Sequence, residues 1–432
     1  MDNWGLSMNR GARYFDRIGD GGRGRLAELA EMQRRIIETH VHLVASSSYP
    51  FDAVLRIMAE PSFVLGAEGL PGSRYLPGSA VMDIVEEEGE ALLLRLFRTG
   101  SAYRGTLQPH SGTQANQIVY NAVLGPNDVA LCLRPRAGGH ISHTVLVGRR
   151  NRTISYGLTE TGLIDYDHMR SLALLHRPKL IIVGGSALPR ACDFAICAEI
   201  AREAGALLHA DISHTAALIA GGVHPPVFPH CDFATFNTVK SLRGPNGGLL
   251  IYRAEFADPV RKSIFPTTQG GPNETIMMGK FAALAEWRQR DISDYAQGIV
   301  RRARLMADVL VGAGLSLVTN GTDSHLLLLQ LGPEQPSGAA LERRFEDAGV
   351  LLNKNLVPGD PRSPEETSGL RIGVTNLSIL GYADDDLNLL SHWLHEMIVG
   401  KAARGDVIPY LTSKYRWSPA AEPEPNISSA GT

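Results

Sequence analysis

GALLHADISHTAALIAGG (residues 205–222) and CDFATFNTVKSLRGPNGG (residues 231–248) are the most informative stretches of the sequence. In the first stretch, an apolar run predicts a strand that ends at Asp211, and His214 follows three residues later. In the second stretch, a β-prone run predicts a strand that ends just before Lys240. We therefore expect an acid and a lysine at the ends of two successive strands.

The pairing of Asp211 with Lys240 suits the chemistry of pyridoxal phosphate. A lysine forms a Schiff base with the aldehyde of this cofactor, and an acid keeps the pyridine nitrogen protonated so that the ring can take up electrons. The alternative interpretation is a solvated pair at the rim of a sheet, where charged residues are usually found. The other motifs of the sequence favour the cofactor site.

Outside these stretches, β-rich runs alternate with helical segments, which predicts an α/β domain with a mostly parallel sheet covered on both faces. The predicted strands of this domain are residues 128–133, 152–156, 179–183, 206–210, 233–237 and 248–252. Further runs predict strands at 316–318 and 326–331, and helices at 26–44, 117–124, 340–348 and 384–399, with long helices between 287 and 311. The predicted organisation is an N-terminal helical arm (1–60), a large domain (61–290), a smaller C-terminal domain (291–415) and a disordered tail (416–432).

Composition limits the function classes. The chain has 432 residues, a formal net charge of −3, and 44% hydrophobic and 20% charged residues, as in ordinary globular proteins. This charge does not favour nucleic acid or an anionic membrane as a partner, and no apolar run approaches the roughly 20 residues of a membrane helix. The N-terminal residues do not resemble a signal peptide, and the four cysteines have neither zinc-ligand nor disulfide spacing. We therefore expect a cytoplasmic protein with reduced thiols and no metal site.

Three further clusters have chemical potential. Ser111–Asn116 (SGTQAN) precedes a helical stretch and could bind an anion at the helix N-terminus, or could simply cap the helix. GGHISH (138–143) contains two histidines that could stack on an aromatic ring or lie in a solvated loop; zinc is disfavoured because no Cys or acid stands at ligand spacing. Arg371 lies within an apolar strand-like segment, where it could bind a substrate carboxylate or form a structural ion pair.

From about Val41 to Leu380, the sequence resembles serine hydroxymethyltransferase, a fold-type I pyridoxal phosphate enzyme. Eight motifs carry the resemblance in order: AEGLPGSRY (67–75), QPHSGTQAN (108–116), GGHISH (138–143), ADISHTAALIAGGVHP (210–225), VKSLRGPNGG (239–248), FPTTQGGP (265–272), NKNLVPGDPRSP (353–364) and SGLRIGV (368–374). The resemblance implies an α/β, three-layer αβα large domain that binds the cofactor, a smaller α+β C-terminal domain, and a homodimer or dimer of dimers with shared active sites.

The resemblance also implies roles for individual residues. Catalytic roles fall to Lys240 as the Schiff-base lysine, Asp211 at the pyridine nitrogen, His140 stacked on the ring, His214 at the phenolic oxygen or the substrate, and Glu68 as the partner subunit's acid–base group. The other implied cofactor-binding residues are Ser111, Gly112, Thr113 and Ser186, with Gly270 and Gly271 from the partner subunit, and the implied substrate-binding residues are Ser46, Tyr75 and Arg371.

Five features depart from the family pattern. The family's histidine before the lysine is Val239, its second tyrosine after Pro-Gly-x-Arg is Leu76, and a further tyrosine is Gly66. The family's Ser-Glu-Asn-Tyr is Ser46-Ser47-Ser48-Tyr49, and the Asn of its Val-Pro-Asn-Asp stretch is Gly359. Four of these changes fall where substrate or folate is expected, so the resemblance preserves the pyridoxal phosphate chemistry and leaves tetrahydrofolate use open.

The predicted function is pyridoxal phosphate-dependent aldol-type cleavage or transfer on β-hydroxy amino acids, interconverting serine or threonine with glycine through a glycine quinonoid. One hypothesis is a specialised, folate-independent aldolase or transaldolase; the alternative is an ordinary tetrahydrofolate-dependent serine hydroxymethyltransferase. A pyridoxal phosphate-binding pseudoenzyme is the third, and the joint presence of Lys240, Asp211, His140 and Arg371 argues against it.

Overall fold

The computed structural model describes residues 22–148 and 151–418. The first part of the predicted N-terminal arm (residues 1–21) and most of the predicted disordered tail (residues 419–432) lie outside the described residues. Among the described helices, none is long and apolar enough to cross a bilayer.

The described residues form fifteen α-helices, which pack around the sheets. They are α1 Gly22–Thr39, α2 Asp52–Met58, α3 Ala80–Leu96, α4 Gly112–Val123, α5 Ile141–Gly148, α6 Tyr166–His176, α7 Phe194–Ala204, α8 Ala216–Ala220, α9 Ala257–Lys262, α10 Glu274–Gln289, α11 Ile292–Gly312, α12 Gly338–Asp347, α13 Thr375–Ile379, α14 Asp384–Ile398 and α15 Val407–Lys414.

Fifteen strands are also described. They are β1 Val41–His42, β2 Gly69–Leu70, β3 Ser73–Arg74, β4 Tyr103–Thr106, β5 Val129–Leu133, β6 Arg152–Tyr156, β7 Leu180–Val183, β8 Leu207–Asp211, β9 Phe233–Asn237, β10 Gly248–Arg253, β11 Ser316–Leu317, β12 Leu326–Gln330, β13 Val350–Leu351, β14 Asn353–Asn355 and β15 Gly369–Gly373.

The main sheet has seven strands in the order β4-β10-β9-β8-β7-β5-β6. Strands β5 to β9 pair in parallel, and β10 pairs antiparallel with both β9 and β4. Alternate residues of one strand enter different apolar clusters: Leu131 and Leu133 pack on one face, whereas Ala130 and Cys132 pack on the other. Both faces are therefore covered, which confirms the predicted three-layer α/β architecture.

Local sequence explains how the chain reaches the centre of this sheet. Helix α7 begins after Asp193, whose side chain accepts hydrogen bonds from the backbone N–H groups of Ala195 and Ile196. It ends at Gly205, which has a left-handed φ of 69° that glycine adopts without strain. Strand β8 starts two residues later, so this cap fixes where the strand begins and where Asp211 ends it.

A second sheet of four antiparallel strands has the order β11-β12-β15-β14. Its apolar residues, including Leu327, Leu329, Leu370 and Ile372, form a separate core with helices α11, α12 and α14. The strand-like segment around Arg371 is the inner strand β15, which pairs with both β12 and β14.

The eight predicted strands are present, and each end lies within one residue of its predicted position. The predicted helix 26–44 is wrong at its C-terminal end. Helix α1 stops at Thr39, and Val41–His42 forms β1, which pairs in parallel with Val350–Leu351. A contact partner about 300 residues away along the chain thus overrides the local helical pattern.

Candidate active site

A cavity of about 540 Å³ opens at the ends of strands β8 and β9. Ten of the predicted site residues line it: Ser46, Ser111, Gly112, Thr113, His140, Ser186, Asp211, His214, Lys240 and Arg371. Grooves of about 850 and 890 Å³ elsewhere on the described surface contain none of the predicted residues. The cavity therefore holds most of the chemistry that the sequence indicates.

Asp211, the last residue of β8, is a buried carboxylate with three donors. Asn116 Nδ2 and His143 Nε2 donate to its Oδ2 over 2.9 and 3.0 Å, and the N–H of Ser213 donates to its Oδ1 over 3.1 Å. Burial opposes its ionisation, yet the hydrogen bond and charge of His143, with the charge of Lys240, hold the pKa of Asp211 well below its usual value. The group is an ionised acceptor at neutral pH.

Lys240 follows β9 in a tight loop. Asn237 Oδ1 accepts hydrogen bonds from the backbone N–H groups of Val239 (3.0 Å) and Gly247 (3.3 Å), which folds the loop back on the strand end. Burial lowers the pKa of Lys240 to about 8; the charge of Asp211 opposes this shift and that of Arg371 adds to it. No described residue hydrogen-bonds to its amino group, so an amine that is neutral more often than a surface lysine faces the cavity.

The N-terminus of helix α4 also faces the cavity. Ser111 caps the helix, its Oγ accepting from the N–H of Gln114 over 3.1 Å, and the next two residues, Gly112 and Thr113, line the cavity. Free N–H groups at a helix N-terminus favour an anion such as phosphate. A Cβ atom built on Gly248 would lie 2.2 Å from the carbonyl oxygen of Ser111, so only glycine permits this approach of strand and helix.

Arg371 lies in β15 and crosses to the main sheet. Its Nη1 donates to the carbonyl oxygen of Ser186 over 2.7 Å, and its Nε donates to Asn353 Oδ1 over 3.1 Å. The side chain is buried, which lowers its pKa to about 10, and it pairs with no carboxylate among the described residues. An enclosed guanidinium without an acid partner is suited to a bound carboxylate.

Two histidines complete the cavity wall. The ring of His140 is fixed by a 2.7 Å contact between its Nδ1 and Ser142 Oγ. Burial lowers the pKa of His140, so the ring is neutral at pH 7 and available to pack on a planar ligand. His214 is buried deeper, and burial lowers its pKa well below the usual value.

This set of side chains fits pyridoxal phosphate. It offers an ionised carboxylate for a pyridine nitrogen, an amine for an aldehyde, a helix N-terminus for a phosphate and an imidazole for a ring face. His140, His143 and Asp211 also have ligand atoms within 4.8 Å of one another, as a metal site would. However, Asp211 Oδ2 already accepts two hydrogen bonds. This arrangement is typical of a carboxylate that pairs with a protonated nitrogen and not with a metal ion.

Four predicted residues lie outside the cavity, in a second cluster: Glu68, Tyr75, Gly270 and Gly271. A Cβ atom built on Gly270 would lie 3.4 Å from Glu68 Oε1, and one on Gly271 would lie 3.7 Å from the Glu68 backbone. Tyr75 donates its N–H to the carbonyl oxygen of Glu68 over 3.0 Å, and its side chain is 69% exposed. These four residues therefore lie together in the fold, but they do not line the cavity that contains Lys240 of the same chain.

Four of the positions that depart from the family pattern touch one another in pairs. The N–H and Oγ of Ser48 both donate to the carbonyl oxygen of Val239, over 2.9 and 3.0 Å. A Cβ atom built on Gly66 would lie 3.0 Å from Leu76 Cδ1. Gly359 is different: it has a φ of 69° and open space around it.

Several residues of the site were not predicted. Asn116 and His143 hold Asp211, and both stand inside motifs that the sequence had already singled out. His325 contacts His214 from the second sheet, and Asn355 lines the cavity. For His325 the sequence carried a weak signal, a histidine directly before an apolar strand-like run.

Comparisons with known proteins agree with this geometry. Residues 24–394 match the family model of serine hydroxymethyltransferase. The chain is also 39% identical over 371 residues to a curated serine hydroxymethyltransferase of Ruegeria pomeroyi, covering 85% of each of the two chains.

Proposed function

Because the chain belongs to the serine hydroxymethyltransferase family, whose members are pyridoxal phosphate enzymes, we propose that it breaks and forms the Cα–Cβ bond of β-hydroxy amino acids. Glycine is the common amino acid of these reactions. The observation that carries the proposal is the enclosed Arg371, which lacks an acid partner among the described residues and lies in one cavity with Lys240 and Asp211.

Three residues of the chain have separate roles in this reaction. Pyridoxal phosphate, when bound, supplies a sink for the electron pair released at Cα. Arg371 binds the substrate carboxylate, which orients the amino acid in the cavity. Asp211 keeps a proton at the cofactor's ring nitrogen, since its hydrogen bonds hold it ionised. Lys240 holds the cofactor aldehyde and, with its pKa near 8, can exchange a proton at neutral pH.

A second copy of the chain is proposed to complete each site. Glu68, Gly270 and Gly271 form one cluster outside the cavity, and the adjoining surface exposes Val64, Leu65, Tyr75 and Leu76. An exposed apolar patch of this kind is typical of a protein–protein interface. In a homodimer this cluster would reach the partner's cavity, where Glu68 would take the proton of the substrate's β-hydroxyl group.

We further propose that the acceptor is an aldehyde used without tetrahydrofolate. The contact between Gly66 and Leu76 supports this, because both positions have a tyrosine in the family pattern and here lack the hydroxyl group while packing against each other. A side chain at residue 66 larger than glycine would press on Leu76 Cδ1, so the packing of these two positions is coupled.

The ordinary folate-dependent activity is the second candidate. The backbone of Gly359 supports it, because its left-handed conformation is one that asparagine also adopts readily. Glu68 is also retained.

One comparison of activities tests these proposals. Serine with tetrahydrofolate is assayed against threonine with a panel of aldehydes, under the same conditions and with the same enzyme preparation. We expect turnover of threonine to exceed serine-to-folate transfer. Efficient serine turnover with strong folate dependence would establish the ordinary activity instead, and no turnover of any β-hydroxy amino acid by the cofactor-loaded enzyme would refute the proposed reaction.

A further inference from the structure

His214 and His325 form a buried pair that connects the cavity to the second sheet. His214 Nδ1 lies 3.2 Å from His325 Nε2, and the two rings are 5.3 Å apart at 32°. His325 Nε2 also lies 3.2 Å from the carbonyl oxygen of Ala45, and its Nδ1 lies 3.0 Å from Ser324 Oγ. His325 directly precedes β12 and is 1% exposed.

These contacts indicate where the ring protons lie. A carbonyl oxygen can only accept, so the 3.2 Å contact with Ala45 requires that His325 carry its proton on Nε2. The other ring nitrogen, Nδ1, is then an acceptor for the hydroxyl of Ser324. The same Nε2–H group lies 3.2 Å from His214 Nδ1 and is shared between the two acceptors, so His214 Nδ1 carries no proton in this arrangement. The single proton of a neutral His214 is consequently on its Nε2.

The opposite arrangement is unfavourable. If His214 donated from Nδ1, His325 Nε2 would carry a lone pair and would face the lone pairs of the Ala45 oxygen at 3.2 Å. A doubly protonated ring is also disfavoured. The charged groups around His214 are Lys240, Arg371 and Asp211, and two of these three are cations. Burial is the main cause that lowers the pKa of His325 to about 3, and Arg371, His224 and Lys240 act in the same direction.

We infer that His325 is a positioning residue that holds His214 as a donor, with its Nε2–H presented to the cavity. Nε2 of His214 hydrogen-bonds to no residue within the described ranges, and His214 lines the cavity. His214 therefore donates a hydrogen bond to an oxygen of the bound cofactor or substrate and does not act as the base. The inference rests on the proposed function only in that a ligand occupies this cavity.

The tautomer can be measured directly. The holoenzyme is labelled with ¹⁵N-histidine, and long-range ¹H–¹⁵N correlation distinguishes the protonated from the bare ring nitrogen; the signals of His214 are assigned by their loss in His214→Gln. We expect Nε2 to carry the proton. A proton on Nδ1 overturns the inference, whichever substrate the enzyme turns over, so this result is independent of the proposed reaction.

Variants of His325 test the positioning role. His325→Leu removes the donor and should shift His214 to the Nδ1–H form or a mixture, whereas His325→Gln retains an amide N–H at the same place and should preserve the wild-type spectrum. His224→Gln is the matched control, because His224 is another buried histidine bonded to a backbone carbonyl, that of Asp323 (2.9 Å), and should leave His214 unchanged. An unchanged tautomer in His325→Leu contradicts the role.

A milder substitution covers the case in which His325→Leu does not fold. Ser324→Ala removes the hydroxyl that satisfies His325 Nδ1 and should reduce the fraction of Nε2–H in both rings. The absorption spectrum of the bound cofactor gives a second readout. If His214 donates to the cofactor's phenolic oxygen, the pH midpoint of its visible band should rise in His325→Leu but not in His325→Gln. Wild-type values for both Ser324→Ala and His325→Leu would refute the assignment.

Discussion

Lys240 lies between one anion and one cation, and this balance sets its reactivity. Burial and the charge of Arg371 lower its pKa, and the charge of Asp211 raises it, with a result near 8. A lysine in water has a pKa of about 10.4 and is almost entirely protonated at pH 7. The amine of Lys240 is therefore partly neutral under conditions in which a surface lysine is not, and it can attack an aldehyde.

The first prediction concerns the pH dependence of cofactor loading. The neutral amine is the reactive form, so the rate at which cofactor-free protein takes up pyridoxal phosphate should rise with pH and level off above about 8. Arg371→Gln removes a cation that lowers the pKa of Lys240, so the midpoint should move to higher pH. Stopped-flow absorbance follows the reaction. A midpoint that is the same in both proteins would contradict the proposed coupling.

The second prediction concerns the carboxylate site. Hydrogen bonds to charged groups contribute about 1.5–3 kcal/mol, so Arg371→Ala should raise KM for the amino acid by roughly 10- to 100-fold. Arg371→Lys should have a smaller effect, since the charge remains but the paired donors are lost. Steady-state kinetics and spectroscopic titration with glycine provide the measurement. Equal losses in the two variants would indicate a structural arginine.

At this scale, the sequence predicted residues whose motifs are local and missed those that depend on distant partners. Asp211 and Lys240 could be found because Asp211 ends one recognisable strand and Lys240 follows another. Asn116 and His143 reach Asp211 across 95 and 68 residues, and His325 reaches Ala45 across 280. Spacing along a chain contains little information about such contacts, which only the fold creates.

At the scale of elements, glycines allow the rim of the main sheet to pack closely. A Cβ atom on Gly184 would lie 2.1 Å from the carbonyl oxygen of Asp211, and one on Gly139 would lie 2.2 Å from that of Leu133. Gly184 also has a φ of 120°, which strains any other residue. The backbone segments that surround the cavity therefore touch one another directly.

The third prediction compares two glycines at opposite ends of β8: Gly184 lies against its last residue, and Gly205 precedes its first residue. Gly184→Ala places a methyl group against Asp211, and we expect a loss of about 3 kcal/mol or more in stability, with weaker cofactor binding. Gly205→Ala is the control, since Gly205 also has a positive φ of 69° but open space around it; its loss should be about 1–2 kcal/mol. Chemical unfolding and cofactor dissociation measure both. Equal losses would show that the close contact has no energetic role.

The strands of the main sheet could be predicted because they are short, apolar and flanked by turns. Their directions were harder to predict. Strand β10 is antiparallel to β4 and β9, although its sequence contains an apolar run like that of the parallel strand β7. The end of helix α1 was also missed, since β1 forms only by pairing with β13. Local pattern determines that a segment is a strand, and tertiary pairing determines its partner.

At the scale of the whole molecule, the proposed dimer would distribute one reaction over two chains. The cavity contains the groups for cofactor and carboxylate, whereas Glu68 belongs to the second cluster. Arg74 holds that cluster in place through Asp83 and Glu86, and through the carbonyl oxygens of Ala67 and Gly69. The cluster is thus held in a defined position, in which it could contact the cavity of a neighbouring chain.

The fourth prediction is complementation between inactive variants. Lys240→Ala and Glu68→Ala should each be inactive in the proposed reaction, but mixed dimers contain one site with both intact residues. About a quarter of wild-type activity is the upper limit if subunits exchange at random. Activity is measured after mixing, with differently tagged subunits to confirm exchange. Mixed dimers without any activity would place Glu68 outside the partner's site.

The close packing of glycines at the sheet rim also limits how this enzyme can be changed. Residues such as 139, 184 and 248 cannot acquire side chains without a collision with backbone atoms, so these three positions behind the cavity cannot change singly. Residues 48, 66, 76 and 239 touch side chains or lie in loops, and 359 is open. We therefore expect variants with new substrates, whether selected in nature or in the laboratory, to carry substitutions at these peripheral positions and to retain the three glycines.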